Sequence, residues 1–205
     1  MITIGITGII GSGKTTASAS LRKKGLPVID LDELAKKTLV LKEVHEEIAD
    51  KIGSGLVVNG KIVVEQLRDV VFTDREKLRK LEEIVHPRVR AGLWDAVMKL
   101  KGKGRAAVIV DGPLLFETGL HKELDRTVVV SADMETIRER LKKRGMSADD
   151  IEKRITHQIP LEEKEKAADF IVRNNGTRED LDKEIENLFE RIKEWEVKTR
   201  CISMT

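Results

Sequence analysis

Residues Gly8 to Thr15 read G-I-I-G-S-G-K-T, the spacing G-x4-G-K-[ST]. Glycines at such positions let a chain turn tightly and come close to phosphate oxygens, where a Cβ would stand in the way. A helix opening at this turn would aim its first N–H groups and the positive end of its dipole at a bound polyphosphate. Lys14 could then reach the β- and γ-phosphates of a nucleoside triphosphate, and the Thr15 hydroxyl could ligate Mg2+. Two groups of carboxylates extend this chemistry. Val28-Ile29-Asp30-Leu31-Asp32 puts two acids after an apolar run. Ala107-Val108-Ile109-Val110-Asp111 ends a longer run in one acid, the Walker B arrangement whose carboxylate holds Mg2+ or its water shell. Asp30 or Asp32 can serve as a helix N-cap or as the carboxylate set against an acceptor hydroxyl; beside a phosphate loop the pair favours chemistry for at least one. An Asp of ordinary basicity suffices, because the phosphoryl transition state is loose and the proton leaves late.

A third group is cationic. Arg138, Arg140, Arg144 and Arg154 fall close together, followed by Lys164 and Lys166. Arg140 and Arg144 stand four residues apart and so share a helix face. Guanidinium groups bind phosphoryl oxygens in bidentate fashion and keep their charge. A flap carrying these two over ATP would exclude competing water. Arg138 and Lys143 read instead as solvated, with Glu135, Glu139 and Asp150 at hand as ion-pair partners.

Five apolar runs rich in Val and Ile supply the strands that must position these groups: Ile2 to Thr7, Leu26 to Asp30, Ala106 to Asp111, Thr127 to Ser131 and Phe170 to Arg173. Helical patterns separate them, which predicts βαβ units, a parallel sheet and a three-layer α/β fold. Ligands in such sheets gather at the carboxyl ends of the strands, where Gly8, Asp30 and Asp111 fall. The stretch 31–100 is too long for one crossover and predicts a helical insertion. Gly53-Ser54-Gly55 and Asn59-Gly60-Lys61 punctuate it as turns, with Val57-Val58 and Ile62-Val63 packing together between them. A second excursion spans 134–168. Leu181, Ile185, Leu188, Ile192 and Trp195 recur at helical spacing and predict an amphipathic helix from Arg178 to Lys198 in which Trp195 packs on the core. Residues 201–205 read as a frayed tail.

Composition bounds the partners. The 38 Lys and Arg nearly balance 36 Asp and Glu, for a net charge of +2, which gives no broad positive field for nucleic acid. There is no Tyr, with four Phe and two Trp, so base-stacking surfaces are scarce. A single cysteine, Cys201, forms no internal disulfide, and neither a signal peptide nor an apolar run of membrane-spanning length is evident. The chain therefore reads as soluble and cytoplasmic, with no membrane, nucleic acid or obligate protein partner.

Taken in order, these residues closely resemble the dephospho-coenzyme A kinase family. Thr7 to Thr15 resembles its phosphate loop, Ile29 to Asp32 its D-x-D segment, His86-Pro87-Arg88-Val89-Arg90 its H-P-x-V-R signature, and Asp111 to Glu117 its D-x-P-L-L-F-E stretch. Arg140-Leu141-x-x-Arg144, Arg154-Ile155-x-x-Gln158, Lys164, Ala168-Asp169 and Asn174-x-Gly176 follow in the family's order. The series spans nearly the whole chain. It departs at Ile9, where the family usually has Gly, at Thr15, where Ser is usual, and at Gly112, where an apolar residue is common. None of these removes a group the reaction needs.

The resemblance implies a P-loop kinase fold like that of nucleoside monophosphate kinases, with a helical acceptor-binding insertion and a lid over 134–168. It implies transfer of the γ-phosphoryl group of MgATP to the ribose 3'-hydroxyl of dephospho-coenzyme A. Asp32 would be the catalytic base. Gly11, Ser12, Gly13, Lys14, Thr15 and Thr16 would cradle the phosphates, Arg140 and Arg144 would engage ATP from the lid, and the Asn174 to Gly176 loop would lie near adenine. His86, Arg90 and Leu115 would belong to the acceptor side with Asp32, although His86 can also be an ordinary helix-start residue before Pro87. A nucleoside monophosphate kinase of the same architecture is the nearest alternative. A GTPase switch would carry N-K-x-D, which the sequence lacks.

Overall fold

The computed structural model describes residues 1–202, with side chains to residue 199. In chain order the elements are β1 (Ile2–Thr7), α1 (Lys14–Lys23), β2 (Val28–Asp30), α2 (Leu31–Thr38), α3 (Lys42–Lys51), β3 (Val57–Val58), β4 (Lys61–Ile62), α4 (Val64–Thr73) and α5 (Arg75–Gly102). They continue as β5 (Ala107–Asp111), β6 (Arg126–Ser131), α6 (Met134–Lys143), α7 (Ala148–Thr156), α8 (Leu161–Lys166), β7 (Phe170–Arg173) and α9 (Arg178–Ile202). The chain divides into two compact units, one of residues 1–29 with the chain from Leu100 on, the other Asp30–Lys99. Of the tail expected over 201–205, the first two residues continue the backbone of α9, and 203–205 lie outside the described residues.

The first unit is built on a five-stranded sheet of order β2-β5-β1-β6-β7. β1 pairs in parallel with β5 and β6, and β6 with β7. β1 and β5 are buried at every residue, which explains why they read as unbroken apolar runs: helices cover both faces. On one face Ile4, Ile109, Val128 and Val130 meet Ala17 and Leu21 of α1 and Leu181, Ile185, Leu188, Ile192 and Trp195 of α9. Trp195 is 4% exposed and is a core residue. On the other face Val129 and Ala132 pack with Ile137 and Leu141 of α6, Ile151 of α7 and Leu161 of α8. Alternation along β6 thus sends Val128 and Val130 one way and Val129 the other.

The second unit is helical around Val44, Ile48, Leu67, Val71 and Ile84. β3 and β4 form a hairpin with Val57 opposite Ile62 and Val58 opposite Lys61. Its turn is Asn59-Gly60, both with positive φ, the pair that a two-residue hairpin favours. Val63 lies just past β4, as the N-cap of α4. The prolyl residue of the His86-Pro87 pair does not start a helix: Pro87 lies inside the 28-residue α5. A proline there removes one ladder hydrogen bond and crowds the preceding turn. Arg88 Nη1 donates to the Ile84 carbonyl oxygen at 2.7 Å within that turn, and its Nη2 pairs with Glu47 of α3.

Candidate active site

The phosphate loop is the link between β1, central in the sheet, and α1. Its bend depends on Gly11 and Gly13, whose φ values are +84° and +99°, in the left-handed region that glycine enters without steric penalty. A side chain would be crowded as well: a Cβ on Gly11 would meet Ile137 and Leu141 of α6 at 3.1 and 3.0 Å. Inside the bend Ser12 N–H donates to the Ile9 carbonyl oxygen at 3.1 Å, and Thr16 N–H to that of Gly13 at 3.0 Å. Ile10 N–H donates instead to Gln158 Oε1 at 2.9 Å, so it points away from a phosphate in the cradle. Lys14 and Thr15 open α1, and their amides have no intrahelical acceptor by the geometry of a helix start. Ser12 is fully buried, and its Oγ has no hydrogen-bond partner.

Lys14 Nζ is ion-paired with Asp111 at the end of β5, their side chains 16% and 7% exposed. The neighbouring register of β1 and β5 brings these ends together. Thr7 Oγ1 donates to the Pro113 carbonyl oxygen at 3.1 Å, tying the entry of the phosphate loop to the loop that follows Asp111. The Thr15 hydroxyl and Asp111 carboxylate are hard oxygen donors of the kind Mg2+ takes. Among the described residues no cluster of three or more His, Cys, Asp or Glu could hold a metal. That donor set fits Mg2+, which keeps waters and phosphate oxygens in its shell and needs few protein ligands.

Gly11, Gly13, Thr16, Arg140, Arg144, Asn174 and Gly176 line one cleft of about 220 Å³ together with Thr177, Arg178 and Leu181. Asn174 is 6% exposed. Its Nδ2 donates to the Ser12 carbonyl oxygen at 2.7 Å, and its Oδ1 accepts from Arg140 Nη2 at 3.4 Å. Arg140 Nη1 is buried without a hydrogen-bond partner. The sequence reading missed Thr177, Arg178 and Leu181. Their position directly after the Asn174-x-Gly176 loop is the signal that could have found them. Arg138 forms a fork with Glu152 of α7, at 2.7 and 3.2 Å. That hydrogen-bonded guanidinium holds the Glu152 carboxyl below its ordinary range, so Arg138 is solvated and paired as expected, with a different acid. Arg154 is exposed on α7 and is not part of the cleft lining.

In the second unit, Asp30 is the N-cap of α2, its carboxylate accepting from the Asp32 and Glu33 N–H groups at 2.9 and 3.2 Å. Capping therefore falls to Asp30, and Asp32 lies in the first helical turn. His86 and Arg90 are one turn apart on α5, both exposed. In the first unit Leu115 is fully buried, with its Cδ1 2.8 Å from where a Cβ on Gly5 would stand. As placed, it has no surface to offer an acceptor; its neighbour Leu114 is 42% exposed.

Residues 2–180 match the family model described as dephospho-CoA kinase. The dephospho-CoA kinase of Geobacillus kaustophilus is 39% identical over 198 residues, 95% of this chain and 97% of the relative. That of Aquifex aeolicus is 38% identical over 92% of this chain and 96% of its own length. Among solved structures, TT1252 from Thermus thermophilus superposes with a TM-score of 0.81 at 38% identity, covering 93% of this chain and 97% of that one.

Proposed function

Since the chain belongs to the dephospho-CoA kinase family and so is a kinase acting at the final step of coenzyme A synthesis, we propose that it moves the γ-phosphoryl group of MgATP to the ribose 3'-hydroxyl of dephospho-coenzyme A, with the following division of labour. The observation that carries this reading is the pairing of Lys14 with Asp111 beside a phosphate loop whose cleft is lined by Arg140 and Asn174.

Gly11, Ser12, Gly13, Lys14, Thr15 and Thr16 surround the β- and γ-phosphates, with backbone N–H groups and the α1 dipole offsetting their charge. Lys14 would exchange Asp111 for the phosphates, and Thr15 and Asp111 would hold Mg2+, which when bound would neutralise charge on the triphosphate. Arg140 and Arg144 supply guanidinium charge as negative charge spreads over the transferred group. The loop Asn174 to Gly176 borders the nucleotide, Asn174 acting mainly through its hold on Ser12. On the acceptor side, Asp32 orients the 3'-hydroxyl and takes its proton while the ribose oxygen bonds to the γ-phosphorus and the bond to the ADP oxygen breaks. His86 and Arg90 bind acceptor, and the apolar contact first assigned to Leu115 passes to Leu114. No described helix is long and apolar enough to cross a membrane.

The test is ATP-dependent formation of coenzyme A from dephospho-coenzyme A by the purified protein, with Mg2+ present or chelated and AMP as a competing acceptor. Magnesium-dependent product from dephospho-coenzyme A alone is expected. Transfer to AMP, or ATP hydrolysis with neither acceptor phosphorylated, would overturn the acceptor assignment and leave only the phosphate loop.

A further inference from the structure

Lys164 is fully buried, an unusual place for an ammonium group. Its Nζ lies 2.7 Å from Glu117 Oε1 and donates to the Pro113 carbonyl oxygen at 3.3 Å. Glu117 Oε1 also accepts the Ile159 N–H at 3.0 Å, while Oε2 is buried with no partner. The Pro113 carbonyl is the same one that takes the Thr7 hydroxyl. One residue before Ile159, Gln158 accepts the Ile10 N–H of the phosphate loop. Segment 158–164 is therefore fastened at three points. Gln158 holds the phosphate loop, Ile159 and Lys164 hold Glu117, and Lys164 holds Pro113, two residues past Asp111.

A buried ion pair is poor evidence for stability, because desolvating both charges offsets their attraction and apolar residues of similar volume often serve as well. What such a pair provides is a fixed geometry, and here that geometry joins Asp111, the phosphate loop and the end of α7. We propose that the Glu117–Lys164 pair is a positioning device for phosphoryl transfer: it straps segment 158–164 to the loop after Asp111 and to Ile10, setting where the phosphate loop and the metal-side carboxylate stand relative to each other. The proposal rests on the kinase reading above. Neither residue touches substrate; both act through Pro113, Gln158 and Ile10. Misplacing reacting groups by about 1 Å can reduce a rate on the order of 100-fold without abolishing binding.

The experiment replaces the pair by apolar residues, Glu117→Leu with Lys164→Met, so that no single charge is left buried. Melting temperature, ADP affinity, kcat and both KM values are measured, with the ratio of ATP hydrolysed to coenzyme A formed. The expected double variant stays folded, melting no more than a few degrees below wild type because the Ile159 N–H loses its acceptor, binds ADP within about 3-fold, and loses roughly 100-fold in kcat with a raised hydrolysis ratio. Unchanged kcat in the folded variant would overturn the proposal, as would losses of kcat and ADP affinity that simply follow a lowered melting temperature. Gln158→Ala keeps the idea testable should the double variant not fold. It removes only the tie to Ile10 at a half-buried position, and kcat should fall about 10-fold at unchanged melting temperature; wild-type kcat there would refute the strap. Wild-type protein in the same assay separates this from the function itself, since failure of that sample to phosphorylate dephospho-coenzyme A counts against the kinase reading alone.

Discussion

Asn174 donates its side-chain amide to the carbonyl oxygen of Ser12 at 2.7 Å, and the same nitrogen stands 2.0 Å from where a Cβ on Gly13 would be. The missing side chain of Gly13 thus leaves the space that the asparagine amide fills. Gly13→Ala must displace Asn174 and also hold an L-residue at φ +99°, a strain of about 1–3 kcal/mol. The melting temperature should fall by roughly 2–12 °C, and ADP affinity by about tenfold or more because the N–H cradle shifts. Asn174→Ala removes that buried hydrogen bond, about 1 kcal/mol, together with the longer one from Arg140 Nη2, and should weaken ADP in the same direction. Calorimetric titration and thermal melts report both, and wild-type binding in Gly13→Ala would show that this contact does not shape the loop.

The proposed function gives Asp30 a structural role and Asp32 a chemical one. Asp30 accepts two N–H groups at the start of α2, so Asp30→Ala should cost about 1 kcal/mol, a melting shift of roughly 2–4 °C, with transfer still measurable at near wild-type rate in the folded enzyme. Asp32→Asn should remain folded and lose transfer by about 10²–10⁴-fold. The reverse assignment would be established by Asp32→Asn turning over normally while Asp30→Ala is inactive.

The strands could be read from the sequence because both faces of this sheet are covered, leaving buried Val-rich runs such as Ala107–Asp111. The phosphate loop was legible for a similar reason: its chemistry is carried by consecutive residues. What the sequence left open depended on contacts between distant positions. Asn174 and Ser12 are 162 residues apart, so the amide's hold on the loop has no local signature. Leu114 and Leu115 are chemically identical, and only the packing against Gly5 distinguishes the buried one. Pro87 reads as a helix boundary by local rules, yet α5 runs through it, with Arg88 supplying a donor to the preceding turn. Asp30 and Asp32 differ only in which one precedes the first helical turn, a distinction that an error of one or two residues in a helix start erases.

In the second unit, Arg88 hydrogen-bonds Glu47, with Lys51 adding to it, and together they hold the Glu47 carboxyl below its ordinary range. The unfolded chain takes up this proton near pH 4.3, above the native value, so the unfolded state binds more protons across that interval and stability rises with pH. The contribution is whole above the unfolded value and fades as pH drops through the native one. Glu47→Gln should therefore melt below wild type at pH 7 and converge with it toward pH 3. The gap should be small and shrink in salt, since both side chains are about one-third exposed, 30% for Arg88 and 32% for Glu47. A gap of equal size at pH 3 would mean that charge is not its origin.

Lys14 and Asp111 present stability and catalysis in one ion pair, and paired variants can pull them apart. Lys14→Met leaves a carboxylate that is 7% exposed facing no cation, and removing one partner of a largely buried pair costs up to about 3–5 kcal/mol. Its melting temperature should drop. Adding Asp111→Asn removes the stranded charge and should recover most of that loss. Transfer should behave differently, falling by roughly 10³-fold or more in the single variant and at least as far in the double, which lacks both the ammonium proposed to stabilise charge on the transferred group and the carboxylate proposed for Mg2+. Steady-state rates beside thermal melts make the comparison. Recovery of turnover together with stability in the double variant would mean that Lys14 serves only to neutralise Asp111, and the phosphate loop would lose its catalytic assignment.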